Sequence, residues 1–367
     1  MLDPSTSMLG LGTYRWAGTD IHVEAARTAL DLGCSLIDTA PNYAPVPVRR
    51  KLGELLLPRR DQIHLISKVG YTDDGGYSLD EPFIRERIDS ESSLLGAGRI
   101  DSFLIHNPEH LLADSGPKQT LRMIGLAFEA VQTAIDAGTV GCFGISSNVL
   151  ALPDHPLGQR ALETYLGLAR DHADATKFRM LQFPFNASER SARLNDWLPR
   201  CAEAGLTTVG NRPLTLKTSG DGPPIRLADP QTRPPVPSRV LVEELSRLVP
   251  ELDWLGRVWG SVLSTDSLDH VEALALAELN RGGASQMSLL ENVILARRIE
   301  LRSMAACQTS RPKVAALLVA AGVNRTCPIA RAACAAYLQH VDHVLLGVRR
   351  ASDAMAVRRL FAPRTSA

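Results

Sequence analysis

Short apolar segments alternate with amphipathic segments along most of the chain. The apolar segments have the length of buried β-strands, and they lie at Met8–Leu11, Ser35–Asp38, His64–Lys68, Ser102–His106, Gly141–Ser146, Met180–Pro184, Thr207–Asn211 and His343–Gly347. The amphipathic segments have helical spacing, and they lie at Ile21–Leu32, Pro82–Leu95, Thr120–Ala137, Leu157–Ala169, Ser191–Ala204 and Ala330–His340. Most steps from strand to strand are roughly 30 to 40 residues, which predicts a succession of parallel βα units.

Eight such units predict an α/β fold, a closed (β/α)8 TIM barrel in which each strand follows its neighbour. The alternative is an open doubly wound sheet, which usually carries a glycine-rich phosphate loop after its first strand. The corresponding segment here is Gly10-Leu11-Gly12-Thr13, which lacks the third glycine and opens no helix at once. The barrel is therefore the favoured architecture.

The connection from the seventh to the eighth predicted strand is far longer than one βα unit. It begins with a proline-rich stretch, Thr215–Ser238, which predicts a loop that folds as a lid. Three helical patterns follow, at Arg239–Leu252, Ser267–Asn280 and Gln286–Met304. We predict a single barrel over residues 1–367, with a lid loop and a helical insertion at 215–325 packed on it.

Composition excludes several classes of protein. The 367 residues carry 40 Lys and Arg against 40 Asp and Glu, so the balanced charge argues against a nucleic-acid binder. No apolar run reaches the ~18 residues of a membrane span, and the first residues do not resemble a secretory signal. We expect a cytoplasmic protein with no membrane contact and with reduced, buried thiols at Cys34, Cys142, Cys201, Cys307, Cys327 and Cys334.

Three ionisable residues stand at the carboxyl ends of adjacent strands, where barrels place their chemistry. Asp38, Lys68 and His106 end the second, third and fourth strands, and Tyr43 follows on the next loop. A phenol with its ordinary pKa near ~10 is a weak acid at neutral pH. We expect Lys68 to lower the pKa of Tyr43, Asp38 to hold Lys68, and His106 to orient a substrate oxygen.

Other chemistries fit these residues less well. A serine or cysteine nucleophile has no matching base at the strand ends, and the paired carboxylates of a glycosidase are missing. We predict no metal site, because the ammonium of Lys68 would repel a cation held by Asp38 and His106. Proton transfer to or from a carbonyl oxygen remains the chemistry that the set favours.

These motifs, taken together and in this order, resemble the aldo-keto reductase family. The matching segments are Gly33-x-x-x-x-Asp38-Thr39-Ala40-x-x-Tyr43, Ser67-Lys68, Asp101-x-x-x-x-His106-Asn107-Pro108-Glu109 and Gly144-Ile145-Ser146-Ser147-Asn148. The resemblance implies NAD(P)H-dependent reduction of an aldehyde or ketone, or the reverse oxidation. It makes Tyr43 the general acid, gives Lys68, His106 and Asp38 supporting roles, and has Asp38 touch the nicotinamide ribose.

The resemblance also implies cofactor contacts. Residues that would hold the nicotinamide end are Asp38, Ser146, Ser147, Asn148 and Gln182. Residues after the eighth strand, at the start of a helix, would hold the adenosine phosphate, and they are Gly347, Arg349, Arg350 and Asp353. This arrangement favours NADPH and leaves NADH open. The chain departs from the family in Gly210-Asn211-Arg212, where an aromatic residue is usual, and in Asp353–Val357. Arg212 could replace the aromatic ring or bind pyrophosphate.

Loop residues above the barrel predict a substrate pocket of aromatic and polar side chains. They are Tyr14, Trp16, Tyr71 and Asn107, which suit a small-molecule carbonyl or alcohol. One alternative is an NADPH-binding regulatory protein with little turnover, as in potassium-channel β subunits. Another is a barrel hydrolase that needs no cofactor. The sequence leaves the substrate and the oligomeric state open.

Overall fold

The computed structural model describes most of the chain. The described residues are 5–14, 16–96, 98–190, 196–217, 224–229, 234, 236–279, 284–324 and 328–363. Cys327, Asn280, the first residues of the predicted helix Ser191–Ala204 and parts of the proline-rich stretch lie outside them. The chain divides into two compact units, one of Met1–Pro213 with Leu318–Ala367 and one of Leu214–Leu317.

The first unit is a closed barrel of eight parallel strands, as the sequence predicts. The strands are β1 (Leu9–Gly12), β2 (Leu36–Asp38), β3 (His64–Val69), β4 (Ile100–His106), β5 (Val140–Ser146), β6 (Phe178–Pro184), β7 (Thr207–Asn211) and β8 (His343–Leu346). Each strand follows its neighbour, and β8 pairs with both β7 and β1. Asp342, directly before β8, connects the end of the long insertion to β7. Its carboxylate accepts hydrogen bonds from the backbone N–H and the hydroxyl of Thr208.

An apolar layer fills the barrel interior. Its side chains come from six strands, are nearly or completely buried, and are Leu36, Ile66, Leu104, Met180, Val209 and Leu345. Because side chains alternate along a strand, residues two positions further on point to the same side. The second residue after each residue of this layer therefore also points into the barrel, one level closer to the carboxyl ends of the strands.

Helices connect the strands of this unit. They are α1 (Asp20–Asp31), α2 (Val46–Leu56), α3 (Glu81–Leu94), α4 (Leu112–Asp136), α5 (Leu162–His172) and α6 (Trp197–Glu203), followed later in the chain by α11 (Pro312–Ala320), which crosses the unit boundary, α12 (Ile329–Tyr337) and α13 (Ala351–Val357). The helix α2 was not predicted, because Pro45 directly before it and Pro47 in its first turn are typical of a loop. Proline is tolerated there, since the first turn of a helix has no N–H partner to lose.

The helix α4 starts earlier than the sequence suggests. Its predicted first residue is Thr120, but the helical assignment begins at Leu112 and passes through Gly116, whose φ of 69° is not helical. Pro117 follows directly, so the first turn and the main helix are separate segments merged at a kink. The regular part of α4 therefore agrees with the prediction.

The second unit is mainly helical. Its helices are α7 (Ser238–Leu248), α8 (Asp253–Val258), α9 (Thr265–Leu279) and α10 (Ala284–Thr309). Their apolar faces share one core, which includes Leu245, Leu252, Leu268 and Ile294. Within this core region Arg298 donates to Asp269 at 2.7 Å and to Glu272 at 2.6 Å, so its buried charge is paired twice.

The proline-rich stretch is not loop throughout. Thr215–Leu216 and Ile225–Arg226 pair as a two-stranded antiparallel sheet, which the sequence did not indicate. Pairs of this length carry too few residues for a visible alternation of apolar and polar positions. The role of 215–325 as a lid and insertion remains a prediction.

The thiols are less uniformly buried than expected. Cys34, Cys201 and Cys334 are free and buried, whereas Cys142 is partly exposed and Cys307 is exposed. Cys307 lies in α10 directly after the buried Ala306, and successive residues of a helix face different directions, so its thiol reaches solvent. Across the described residues, no helix has both the length and the apolar character needed to cross a membrane.

Gly144 provides a test of the barrel packing. A Cβ atom at this position would lie against the backbone carbonyl of Met180, beside a register shift between β5 and β6. We expect Gly144→Ala to lower the free energy of unfolding by roughly 2 kcal/mol, because a strand must move. Chemical denaturation followed by circular dichroism measures this change.

The matched control is Gly167→Ala in α5. A Cβ atom there would have its nearest neighbour 3.8 Å away, at Arg170. Alanine favours a helix over glycine, so we expect stability to stay equal or rise by up to about 1 kcal/mol. Equal stability of the two variants would contradict the packing described for β5 and β6.

Candidate active site

Five polar side chains lie one level above the apolar layer, on five adjacent strands. Each lies two residues after a residue of the apolar layer, or after Gly144 of β5, which pairs with residues of that layer. The five side chains are Asp38, Lys68, His106, Ser146 and Gln182. The strand register brings them side by side, because His106 pairs with Ser146 and Ser146 pairs with Gln182. All five are buried, so the mouth of the barrel holds a continuous polar level from β2 to β6.

Lys68 and Asp38, on the first two of these strands, form a buried ion pair. The Lys68 Nζ atom lies 2.5 Å from Asp38 Oδ1, and their side chains are 0% and 5% exposed. Lys68 Nζ also donates to the Thr39 carbonyl at 2.9 Å. Burial lowers the pKa of Lys68 from its ordinary value, while the charge of Asp38 acts in the opposite direction.

The polar level continues as a hydrogen-bonded chain. Gln182 Nε2 donates to the same Asp38 oxygen at 2.7 Å, and Ser146 Oγ donates to Gln182 Oε1 at 2.6 Å. Asp38 therefore holds an ammonium on one side and an amide on the other. These hydrogen bonds fix the orientation of the Asp38 carboxylate. They also engage the Ser146 hydroxyl and the Gln182 amide in contacts inside the protein.

Tyr43 lies over the ion pair. It ends a short 3-10 turn, Pro41–Tyr43, that follows β2. Its ring centroid lies 4.7 Å from Lys68 Nζ and 5.8 Å from the ring of His106. The exposed ring of Tyr14 packs against it edge-on at 5.2 Å. The structure thus brings together all four residues that the sequence assigns to proton transfer.

The net shift of the Tyr43 pKa is opposite to the lowering that we expected from Lys68. The pKa of Tyr43 is raised well above its ordinary value, chiefly because its surroundings exclude water and secondly because Asp38 is negative. The Asp38 carboxylate that pairs with Lys68 acts against the ammonium at the phenol. Tyr43 is therefore a protonated phenol across the neutral range.

His106 is neutral as well. Its pKa is lowered well below the ordinary value, first by burial and then by the positive charges of Lys68, His110 and Arg212. The ring of Tyr71 stands edge-on to the His106 ring at a centroid distance of 5.1 Å. A neutral imidazole offers one N–H donor and one acceptor, which suits the orientation of an uncharged oxygen.

Tyr71 and Asn107 lie together beside His106. Asn107 has a left-handed backbone, with φ of 53°, and its Nδ2 atom donates to the Tyr71 hydroxyl at 2.8 Å. The same hydroxyl lies 2.8 Å from His110 Nε2, and the ring of Tyr77 stacks on His110. His110 and Tyr77 were not among the predicted site residues. Tyr77 follows β3 and His110 follows β4, at the carboxyl ends of strands where loops often carry functional residues.

Trp16 has a different environment from the other predicted pocket residues. Its side chain is buried, and its indole N–H donates to the His22 carbonyl at 3.2 Å. This bond ties the first loop to α1. Trp16 as a pocket wall remains a prediction.

Glu109 joins the loops after β4 and β5. Its carboxylate accepts from Ser147 Oγ at 2.7 Å and from the backbone N–H of Asn148 at 3.0 Å. Asn148 Oδ1 in turn accepts from Arg212 Nη2 at 2.7 Å. Ser147, Asn148 and Arg212, three of the predicted cofactor residues, are thus connected. Glu109, which joins them, is a further residue absent from the predicted site.

The end of β7 presents an unused acceptor. Asn211 stands two residues beyond Val209 of the apolar layer, and its Oδ1 atom is buried with no hydrogen-bond partner among the described residues. Arg212 follows with φ of 56°, which turns its exposed side chain out of the strand direction. A buried carbonyl oxygen without a partner is costly, and it suits a ligand that supplies an N–H donor.

The residues directly after β8 form the N-terminal end of α13. The Asp353 carboxylate accepts from the backbone N–H groups of Arg349 at 3.3 Å and Arg350 at 3.1 Å. Asp353 therefore caps α13, which follows Gly347 by a few residues. The two arginines stand at the start of that helix, as the sequence suggests, and their contact with a cofactor remains a prediction. Across the described residues, no cluster of His, Cys, Asp and Glu is suited to a metal ion.

Comparison with known proteins identifies the family. The Aldo/keto reductase family model matches residues 8–233. The aldo-keto reductase YhdN of Bacillus subtilis is 26% identical over 215 residues, which cover 55% of this chain and 57% of that protein. The methylglyoxal reductase YeaE of Escherichia coli is 32% identical over 111 residues, 28% of this chain and 36% of that protein. The chain thus spans little more than half the length of the Bacillus relative.

Solved structures add support for the fold. A glycerol dehydrogenase of Gluconobacter oxydans has a TM-score of 0.55 at 17% identity, over 98% of this chain and 88% of that structure. At this identity the likeness concerns the fold alone. The family model matches more than half of the residues of this chain, and the chain therefore belongs to the aldo/keto reductase family.

Proposed function

We propose that the chain reduces an aldehyde or ketone to an alcohol with NADPH, or catalyses the reverse oxidation, and that Tyr43 is the general acid. The observation that carries this proposal is the placement of a protonated phenol 4.7 Å from a buried, ion-paired ammonium. Family membership supports it. A neutral His106 beside that phenol supplies a second hydrogen-bonding group for one substrate oxygen.

In the reductive direction, the Tyr43 hydroxyl gives its proton to the carbonyl oxygen, which becomes the hydroxyl of the product. A bound nicotinamide cofactor supplies a hydride to the carbonyl carbon. The negative charge left on the Tyr43 oxygen is stabilised by Lys68, because water is largely excluded and charges interact strongly there. Asp38 keeps Lys68 in place through their ion pair.

His106 positions the substrate. Its neutral ring can donate a hydrogen bond to the carbonyl oxygen without competing as a charged acid. Tyr71, Asn107 and His110 add polar groups on the same side, which suits a small carbonyl compound that carries further oxygen atoms. Methylglyoxal, named in the Escherichia coli relative, belongs to this chemical class.

The residues of the mouth fit a nicotinamide dinucleotide. Asn211 Oδ1, which has no hydrogen-bond partner in the described part of the chain, suits the N–H donors of a carboxamide. Arg212 follows it as a cation for phosphate, held by its bond to Asn148. Arg349 and Arg350 at the start of α13 would contact the phosphate that distinguishes NADPH from NADH. Ser146 and Gln182 would act through Asp38, since their side chains are already bonded towards it.

Replacement of Tyr43 tests the proposed acid. We expect Tyr43→Phe to lower kcat for carbonyl reduction by about a thousandfold or more, because general acid catalysis and the positioned proton are lost. The Kd for NADPH, measured by fluorescence titration, should stay within about twofold. A carbonyl panel followed at the nicotinamide absorbance gives the rates.

The control for this variant is Tyr165→Phe. Tyr165 lies in α5, and its buried hydroxyl donates to the Leu157 carbonyl at 2.8 Å, so the change costs stability but not turnover. Unchanged turnover in Tyr43→Phe would remove Tyr43 from the acid role. Tight NADPH binding by the unaltered protein with no turnover on the panel would favour the regulatory alternative.

The two shifted pKa values predict the pH profile. The raised pKa of Tyr43 keeps the acid protonated until the pH rises well above the ordinary value, and the lowered pKa of His106 keeps the imidazole neutral until the pH falls below 6.5. Reductive kcat/KM should therefore stay nearly constant from about pH 6.5 to about pH 8. An inflection near neutral pH that disappears in His106→Gln would contradict this prediction.

The choice of cofactor is tested at α13. We expect Arg350→Ala to weaken NADPH binding about tenfold, because a charge-assisted contact to phosphate is worth roughly 1.5 kcal/mol or more. NADH binding should change by less than about twofold, and Arg358→Ala, at the far end of the helix, serves as the control. Equal losses for both cofactors would exclude Arg350 as the group that selects NADPH.

A further inference from the structure

Two oppositely charged residues are buried outside the barrel, between α2 and α3. Arg49 is 5% exposed and Glu91 is 0% exposed, and Arg49 Nη1 forms an ion pair with Glu91 Oε1. The helices approach closely at Gly53, where a Cβ atom would lie 2.7 Å from the Leu94 carbonyl oxygen. Arg49 stands one helical turn before Gly53, so this close approach brings it to Glu91.

Each partner has a second contact, and both lead to the candidate active site. Arg49 Nε donates to the Ala44 carbonyl at 3.1 Å, in the residue directly after Tyr43. The Ser67 hydroxyl donates to Glu91 Oε2 at 3.0 Å, in the residue directly before Lys68. Because neighbouring side chains of a strand point to opposite faces, Ser67 faces α3 while Lys68 faces the barrel interior.

These contacts make a closed path. From Tyr43 it passes through Ala44 to Arg49, then through Glu91 to Ser67 and Lys68. Lys68 Nζ completes the path at 4.7 Å from the centroid of the Tyr43 ring. The separation of phenol and ammonium is thereby tied to a buried ion pair that touches neither of them.

Stability alone is a weak reason for such a pair. Removing two charges from water costs several kcal/mol per ion, and apolar residues of similar size often stabilise a fold as well or better. Arginine is suited to this position, because its fixed fork of donors can serve the Ala44 carbonyl and Glu91 together. Lysine has a single nitrogen and can serve only one of them well.

We propose that Arg49 and Glu91 are positioning residues that set the distance between Tyr43 and Lys68. This inference rests on the proposed function, in which those two groups carry the proton transfer. The pair acts through the backbone of Ala44 and through Ser67. Its effect therefore falls on kcat rather than on cofactor binding.

The variant Arg49→Lys keeps a positive charge opposite Glu91 but removes the guanidinium group, which contacts Glu91 and the Ala44 carbonyl together. We expect kcat to fall between about tenfold and a hundredfold, because small displacements of a reacting group have effects of this size. The Kd for NADPH should stay within about twofold. In the protein without cofactor, the hydrogen-bonded backbone amides of Tyr43, Val48 and Arg49 should exchange with deuterium faster than in the unaltered chain.

Arg87→Lys is the matched control. Arg87 is also 5% exposed and lies in α3, but its ion pairs are with Asp73 at 3.2 Å and with Glu86 at 3.8 Å. It should lose comparable stability, measured by thermal unfolding, while kcat stays within about twofold. A wild-type kcat in Arg49→Lys, or equal losses of kcat in both variants, would overturn the proposal.

Two further measurements keep the result decisive. If Arg49→Lys does not fold, Ser67→Ala removes one hydroxyl from the path, and we expect kcat to fall roughly fivefold, the equivalent of one ordinary hydrogen bond. A wild-type kcat in folded Ser67→Ala would then reject the path. Tyr43→Phe is measured alongside, because its failure to lower kcat would reject the proposed function itself and not only the positioning role.

Discussion

The buried ion pair between Lys68 and Asp38 is the interaction on which the rest of the site depends. An ammonium without water is stable only when its charge and its N–H donors are satisfied, and here a carboxylate and the Thr39 carbonyl do so at 2.5 Å and 2.9 Å. That requirement fixes the register of β2 and β3. It also holds the ammonium beside Tyr43, where Lys68 Nζ lies 4.7 Å from the centroid of the ring.

Hydrophobic alternation made the barrel predictable from the sequence. Buried parallel strands such as His64–Lys68 and Thr207–Asn211 have short apolar runs that end in polar residues, and the long steps between them leave room for one helix each. The same reasoning failed where local signals conflict with tertiary packing. The prolines at the start of α2 resemble a loop, and the short strand pair at Thr215 and Ile225 is too brief to have a pattern.

The site was predictable where a residue ends a strand, and less so elsewhere. Asp38, Lys68 and His106 were found because strand ends converge in any barrel of this type. His110, Tyr77 and Glu109 belong to loops, whose course depends on packing that one sequence does not reveal. The direction of the Tyr43 pKa shift was missed for a related reason, since the shielding of its phenol from water depends on neighbours in space.

The Leu214–Leu317 unit has a consequence for the order in which the barrel folds. The whole unit is synthesised before β8. The edges of β7 and β1 that pair with β8 therefore stay unpaired until about one hundred further residues have left the ribosome. The entropy of closing a loop rises only slowly with its length, by about 0.6 kcal/mol for each doubling, and a folded insertion shortens the flexible part. Closure then depends on local capture of the returning chain, for which the two hydrogen bonds from Thr208 to the Asp342 carboxylate are placed directly at the edge of β7.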